Sequence, residues 1–272
     1  MRGGLVTALQ EARRLKCDTV QIFTRSPRMW RAGKIKPEDA EAFRRAREVL
    51  KIDPVVVHTP YLPNLCTTDE KLYARSYRAL LEDLENCGLL GADYYVIHPG
   101  AYSEGSTREE GIRRMTDAIS RGLAQVPGQV IVLLENMAGG GRRMGSSFEQ
   151  LAEMRAKMQE PARVGICLDT AHTLAAGFPF STAEEVEATL AQFDKAIGLA
   201  HLKVIHANDS KAAPGSHRDL HEHIGKGFVG RSAFMALLHH PALAGCAVIL
   251  ETPKDTPRSD PTNLRLMRQL MK

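Results

Sequence analysis

The chain has 272 residues, 43% of them hydrophobic and 25% charged, which suits a soluble globular protein and excludes a disordered one. With 36 basic against 32 acidic residues, the formal net charge is +4, too mild to announce a nucleic-acid partner and no bar to one. No apolar run approaches the roughly 20 residues of a membrane helix, and the scattered Cys17, Cys66, Cys87, Cys167 and Cys246 form neither a disulfide framework nor a zinc ribbon. Glu11, Arg13, Arg14 and Lys16 come too soon for a secretory signal peptide, so reduced thiols in a cytoplasmic protein are expected.

Leu5, Leu9, Ala12 and Leu15 repeat at helical spacing, so the chain opens on a helix. Thr19 to Phe23 is a short run of strand character, and Pro37 starts a helix that continues to about Leu50. Pro54 to His58 predicts a strand whose β-branched run suits a buried parallel sheet. A long helix from Asp69 to about Leu90, the strand Tyr94 to His98 and a helix near Thr107 to Leu123 follow. Next come the strand Gln129 to Glu135, a helix near Ser147 to Met158, the strand Val164 to Asp169 and a helix near Thr182 to Ile197. Leu199 to His206 reads as a strand, Asn208 to Gly230 as a polar loop, and Arg231 to His239 as a helix. Ala247 to Glu251 is the last strand and Asn263 to Met271 the closing helix.

Strands alternating with helices predict βαβ units and a parallel sheet. Seven strands are counted, whereas a closed (β/α) barrel has eight. The structural rival, an open doubly wound sheet, carries a Gly-rich fingerprint after its first strand; Gly139-Gly140-Gly141 lacks that spacing and sits mid-chain. No linker marks a boundary, so residues 1–272 are expected to form one barrel domain.

Six consecutive apolar runs end in a metal-competent side chain: His58, His98, Glu135, Asp169, His206 and Glu251. In a parallel barrel all strand carboxyl ends lie on one face, so these residues are expected to converge there. Three imidazoles and three carboxylates in one place call for cations, and such N/O ligands suit Zn²⁺, Mn²⁺ or Fe²⁺. His172 lies three residues after Asp169, and Asp219-Leu220-His221 is a D-x-H pair in a loop. Nine ligands exceed the needs of one ion and suit a two- or three-metal cluster. Any one of them alone has a plainer reading, since a histidine at a strand end is commonly structural and an aspartate commonly caps the next helix. It is the recurrence that favours metal. The other histidines do not join the pattern: His201 points to the opposite strand face, His239 and His240 end a helix, and His217 and His223 flank the D-x-H pair.

These residues resemble the endonuclease IV family of metal-dependent apurinic/apyrimidinic (AP) endonucleases of base-excision repair. The matching segments are His58-Thr59-Pro60-Tyr61-Leu62-Pro63-Asn64-Leu65, His98-Pro99-Gly100, Glu135-Asn136-Met137-Ala138-Gly139, Asp169-Thr170-Ala171-His172 and Ala175-Ala176-Gly177-Phe178. His206-Ala207-Asn208-Asp209-Ser210-Lys211, Asp219-Leu220-His221 and Leu250-Glu251-Thr252 continue the match in the family's order. The resemblance implies a (β/α)₈ barrel with three zinc ions, with Mn²⁺ or Fe²⁺ as possible occupants of some positions. His58, His98 and Glu135 would hold the first ion. Glu135 would bridge to a second held by Asp169, His206 and Glu251, and His172, Asp219 and His221 would hold the third. Glu135 and Glu251 would be the catalytic carboxylates, orienting a metal-activated hydroxide for in-line attack on the phosphate. The implied substrate is double-stranded DNA containing abasic sites, cut to leave a 3′-hydroxyl and a 5′-deoxyribose phosphate, by an enzyme expected to be a monomer. Arg28, Met29, Trp30, Tyr61 and Leu62 match the family's minor-groove loops, Met29 or Leu62 serving as a wedge, and Lys211 and Arg218 are candidate phosphate contacts. With four acidic residues assigned to metals, the mild +4 conceals a more positive mouth suited to phosphate.

The chain departs from the family pattern in two places. The short Gly-x-His-x-Ser-type first strand that family members carry ahead of the Gly3-Gly4 position has no counterpart here, which agrees with the count of seven strands. The expectation is that the true start lies upstream, or that the barrel is open between the strands ending at Phe23 and Glu251. Lys226 stands where the family usually has Glu, and Met137 and Ala207 replace commoner choices. Two rivals remain: a sugar isomerase or epimerase of the same barrel class, which needs no third ion from His172, Asp219 and His221, and an inactive remnant that binds abasic DNA without cutting it.

Overall fold

The computed structural model describes residues 4–26, 29–30 and 35–272. The chain divides into two compact units, one running to Leu133 and including Met154–Gly165, the other comprising Leu134–Glu153 and Ile166–Lys272.

The first unit opens on α1 (Leu5–Arg14), followed by β1 (Val20–Ile22), α2 (Pro37–Leu50), β2 (Val55–His58), α3 (Glu70–Leu90), β3 (Tyr94–Ile97), α4 (Arg108–Gln125) and the first residues of β4 (Ile131–Glu135). The strand order is β1-β2-β3-β4. Val20 pairs with Val55 and Val56 with Tyr94 in parallel register. Val55, Val56 and Val57 are wholly buried, as a strand covered on both faces requires. Local signals set the helix ends. Asp69 caps α3 by accepting from the Lys71 and Leu72 amides, and Gly91 closes it at φ +64, a left-handed turn that costs glycine little. Thr107 caps α4, and Pro37 occupies the first turn of α2.

The second unit holds the end of β4, most of α5 (Phe148–Ala156) and of β5 (Val164–Asp169), then α6 (Thr170–Ala176), α7 (Ala183–Ala196), β6 (Leu202–His206), β7 (Asp209–Ser210), β8 (His221–Glu222), α8 (Gly230–His239), β9 (Ala247–Ile249) and α9 (Ser259–Leu270). Here the strand order is β4-β5-β6-β9. Asp169 pairs directly with His206, and Val204 with Ala247, again parallel. Phe148 stacks on Phe178 at 4.3 Å between centroids and meets Phe193 of α7 edge-on at 5.2 Å, and a capping box of Thr182 and Glu185 starts α7.

The seven strands read from sequence are the seven parallel-sheet strands found among the described residues, with shorter bounds. His98 lies one residue past β3 and Glu251 two past β9. Three elements, α6, β7 and β8, escape the sequence pattern, and one expected helix starts early. α6 follows β5 with no intervening loop, because Asp169 ends the strand and caps the helix at once. The 208–230 loop contains the antiparallel pair β7–β8, whose two-residue strands are too short to show alternation. α9 begins at Ser259, four residues earlier than expected. Among the described residues no helix is long and apolar enough to cross a membrane.

One buried ion pair braces the first unit. Arg25, just past β1, has a side chain 1% exposed and bonds Asp83 of α3, which is 0% exposed, at 2.8 Å. Burial lifts the Asp83 carboxyl above its ordinary value although Arg25 pulls the other way. Removing one partner strands the other charge in the core. Asp83→Ala is expected to lower unfolding free energy by about 3–5 kcal/mol. Glu82→Ala, which removes a carboxylate 38% exposed, should cost under about 1 kcal/mol. Denaturant unfolding of both variants measures the difference, and equal losses would contradict it.

Candidate metal centre

In the first unit, two imidazoles stand at successive strand ends. His58 closes β2 and is 3% exposed. Its Nδ1 donates to the Thr59 carbonyl at 2.7 Å, which assigns the lone pair of the neutral ring to Nε2. The His98 ring meets it edge-on, with centroids 5.1 Å apart. Asn64 ties the two strand-end loops together: its Oδ1 accepts from the Cys66 amide at 3.0 Å and the Ala101 amide at 3.3 Å, and its Nδ2 donates to the Ala101 carbonyl at 2.8 Å. Gly100 is required in His98-Pro99-Gly100, since a Cβ there would lie 2.6 Å from Asn64 Oδ1 and the backbone has φ +91.

Seven of the expected ligands lie in the second unit. Glu135, Asp169 and His206 end β4, β5 and β6 and are each 0% exposed. His206 Nδ1 lies 3.3 Å from Glu135 Oε1 and 3.3 Å from Glu251 Oε2. Donor atoms of Glu135, Asp169, His206 and Glu251 fall within 4.8 Å of one another, and so do those of Asp169, His172 and His221. Asp219 joins this second group, its Oδ1 being 3.1 Å from His172 Nε2 and 3.2 Å from His221 Nε2.

The orientation of each imidazole has a cause. His172 Nδ1 donates to the Asn136 carbonyl at 2.9 Å and His221 Nδ1 to the Glu251 carbonyl at 3.1 Å, so Nε2 of each ring is turned towards Asp219. His221 Nε2 is buried without a hydrogen bond and also faces Asp169 Oδ2 at 3.6 Å. Nitrogen lone pairs and carboxylate oxygens aimed at common points, and held by other bonds, form a donor set that fits divalent cations of zinc type.

Two asparagines that sequence reasoning passed over hold the acidic residues in place, Asn136 through the backbone of Asp169 and Asn208 through its carboxylate. Asn136 accepts from the Asp169 amide at 2.6 Å and donates to the Asp169 carbonyl at 3.2 Å and to Thr173 Oγ1 at 3.0 Å. Asn208 donates to Asp169 Oδ2 at 2.6 Å and accepts from the Glu251 amide at 2.7 Å. The only sequence signal was position, one residue after Glu135 and two after His206. Asp209 anchors the loop that carries Asp219: its Oδ1 accepts the Ser210 amide at 2.9 Å and the Val229 amide at 2.9 Å. Gly227 leaves room for this, since a Cβ there would collide with Ser210 and Asp209. Lys226, the charge reversal, is exposed.

Of the expected DNA contacts, Met29 is 57% and Tyr61 70% exposed, Trp30 and Leu62 are half-buried, and Lys211 and Arg218 are exposed. Arg28 lies outside the described residues.

Strand ends furnished in this way define an α/β enzyme of the xylose isomerase-like TIM barrel class, and the family model of that description matches residues 9–271. The chain is similar to the probable endonuclease 4 of Methanosphaerula palustris, 41% identical over 98% of this chain and 94% of the relative. It is also similar to that of Solibacter usitatus, 44% identical over 98% of this chain and 93% of the relative. The crystal structure of endonuclease IV from Thermus thermophilus matches with a TM-score of 0.89 and 35% identity, covering 100% of this chain and 95% of that one. The chain belongs to the endonuclease IV family and is an AP endonuclease of that family.

Burial opposes the charge on His221, but Asp169 and Asp219 outweigh it and lift the imidazole from 6.5 to about 9. A raised folded-state value stabilises metal-free protein fully below about pH 6.5 and loses that contribution as pH climbs to about 9. Metal binding must expel the same proton. Calorimetric zinc titration of chelator-treated protein near neutral pH, in buffers of different ionisation enthalpy, should therefore show net proton release that His221→Ala diminishes; no difference would refute the assignment. In addition, Asn208→Ala should weaken zinc binding about 10–100-fold by letting Asp169 and Glu251 relax, as measured by competition with a chromophoric chelator. Unaltered affinity would remove Asn208 from this role.

Proposed function

We propose that the protein hydrolyses the DNA phosphodiester 5′ to an abasic site, leaving a 3′-hydroxyl and a 5′-deoxyribose phosphate, and that residues 1–272 act as one barrel domain. The observation that carries the reading is the pair of buried donor groups, Glu135/Asp169/His206/Glu251 and Asp169/His172/His221, in a chain of this family.

Three zinc ions are assigned, with Mn²⁺ or Fe²⁺ as alternatives at some positions. His58, His98 and Glu135 would hold one, Glu135, Asp169, His206 and Glu251 a second, and His172, Asp219 and His221 the third. Such ions, when bound, acidify water and offset phosphate charge. The protein's own groups do the rest. Glu135 and Glu251 flank the same His206 nitrogen at 3.3 Å and orient the attacking water. Glu251, with a side chain 27% exposed against 1% for Glu135, is the one that substrate water reaches. Attack from that side expels the 3′ oxygen of the preceding nucleotide in line. No protein nucleophile is needed, and the nearby thiol is unsuited to the task, since complete burial pushes Cys167 up to about 12.

Double-stranded DNA with an abasic site is the substrate that suits the exposed groups. Met29 and Tyr61 are large apolar side chains left in solvent, the form of a wedge that fills the gap of a missing base. Leu62 and Trp30 extend this surface, Arg28 is assigned to the same contact from the sequence alone, and Lys211 and Arg218 offer charge to phosphates.

The test is a duplex with one tetrahydrofuran abasic analogue. Zinc-loaded protein should nick it 5′ to the analogue, lose activity to chelator and regain it with zinc. Glu251→Gln and His172→Ala should each fall by at least about 100-fold. No nicking with zinc, manganese or iron would overturn the proposal, and sugar isomerisation without nicking would replace it with the isomerase reading.

A further inference from the structure

The protein's single tryptophan, Trp30, follows β1, and its backbone carbonyl is fastened by Arg25. Arg25 Nη2 donates to Asp83 Oδ1 at 2.8 Å and to the Ala79 carbonyl at 2.9 Å, while Nε reaches Asp83 Oδ1 at 3.1 Å. Asp83 is completed by Thr24 Oγ1 at 2.5 Å and the Tyr95 hydroxyl at 3.1 Å. With its fork seated on a buried carboxylate, Arg25 extends Nη1 forward to the carbonyl of Trp30. The backbone of Trp30 is thus set by an ion pair in the core.

Over the Trp30 ring lies the guanidinium of Arg75, 4.2 Å from the ring centroid. Arg75 is exposed, in the second turn of α3. Its neighbour Ser76 accepts the Asn64 amide at 2.9 Å, so the loop after β2 is moored at the same point. Among the described residues no carboxylate pairs with Arg75. Arg114 makes the contrast: it stacks on Tyr73 at 4.2 Å, but its charge is taken up by Glu70 at 2.9 Å. Arg75 is therefore an uncompensated cation on a flat aromatic platform, beside the two loops that leave the carboxyl ends of β1 and β2. Stacking immobilises the planar group and leaves its N–H edge to donate, so an anion meets a donor whose ordering cost is already met. The ligand that suits it is the sugar-phosphate backbone, which takes charge-assisted N–H donors without regard to base.

We propose that Arg75, preset by Trp30, contacts a backbone phosphate of the substrate duplex. The proposal rests on the reading of the chain as an abasic-site endonuclease.

The experiment measures binding of the zinc-loaded protein to the abasic-analogue duplex across a salt series, for wild type, Arg75→Ala, Arg75→Lys and Arg78→Ala. Arg78 is exposed on the same helix and controls for bulk charge. Arg75→Ala should weaken binding roughly fivefold and lower the slope of log affinity against log salt by about 0.9. Arg75→Lys should restore the slope while recovering only part of the affinity, and Arg78→Ala should match wild type. Emission of Trp30 in the free protein should change in Arg75→Ala, reporting loss of the stacked cation. An Arg75→Ala protein that binds and responds to salt like Arg78→Ala overturns the phosphate contact, while wild-type nicking leaves the proposed function standing. Unchanged emission overturns the presetting by Trp30. A wild type that neither binds nor nicks the duplex overturns both readings.

Discussion

The constraint on which the structure turns is the burial of carboxylates. Glu135 and Asp169 sit at the ends of adjacent strands with no exposure to solvent. Removing such a charge from water costs several kcal/mol, and only opposite charge and hydrogen bonds of good geometry offset the loss. The second unit supplies both. Asp169 accepts the His172 amide at 2.8 Å through one oxygen and the Asn208 side chain at 2.6 Å through the other. Glu135 faces His172 and His206, each at 3.3 Å. The imidazoles respond in kind. Burial alone would discharge His172 and His206, but the surrounding acidic groups hold both well above the ordinary histidine value.

This balance explains why the supporting groups are amides and backbone rather than further charges. An asparagine donates and accepts at once, so Asn208 can hold the Asp169 carboxylate and the Glu251 amide without adding to the field. Asn136 likewise donates and accepts at once, bonding the backbone amide and carbonyl of Asp169 from the end of β4. The start of α6 does part of the work as well, with Asp169 serving as strand end, helix cap and candidate ligand. The ordinary reading of an aspartate in that position holds here, and the same side chain is also a member of both groups of candidate donors.

Much of the frame was legible in the sequence because its signals are local. Val55-Val56-Val57 and Val132-Leu133-Leu134 are runs of buried apolar residues that stop at a polar side chain, and the stop marks the strand end within a residue or two. Pro37, Asp69 and Thr107 marked helix starts for equally local reasons. What escaped notice depends on distant partners. Asn208 looks like any loop asparagine until Asp169 and Glu251, 39 and 43 residues away, are set beside it. α6 was invisible because it starts without a connecting segment, and β7 and β8 because two residues carry no period. Arg25 was passed over because an arginine after a strand is ordinarily at the surface, and here Asp83, 58 residues on, draws it inside.

By itself, then, the sequence determined which side chains end the strands and which residue types stand there, since alternation, capping and β-branched runs are written within a few positions. Only the tertiary structure decided which nitrogen of each imidazole faces the carboxylates. His172 and His221 turn Nε2 to Asp219 because their Nδ1 atoms meet carbonyls 36 and 30 residues away, while His206 presents Nδ1 to Glu135 and Glu251. A ring with two inequivalent nitrogens takes its direction from the partner that satisfies one of them, and that partner is brought within reach only by folding.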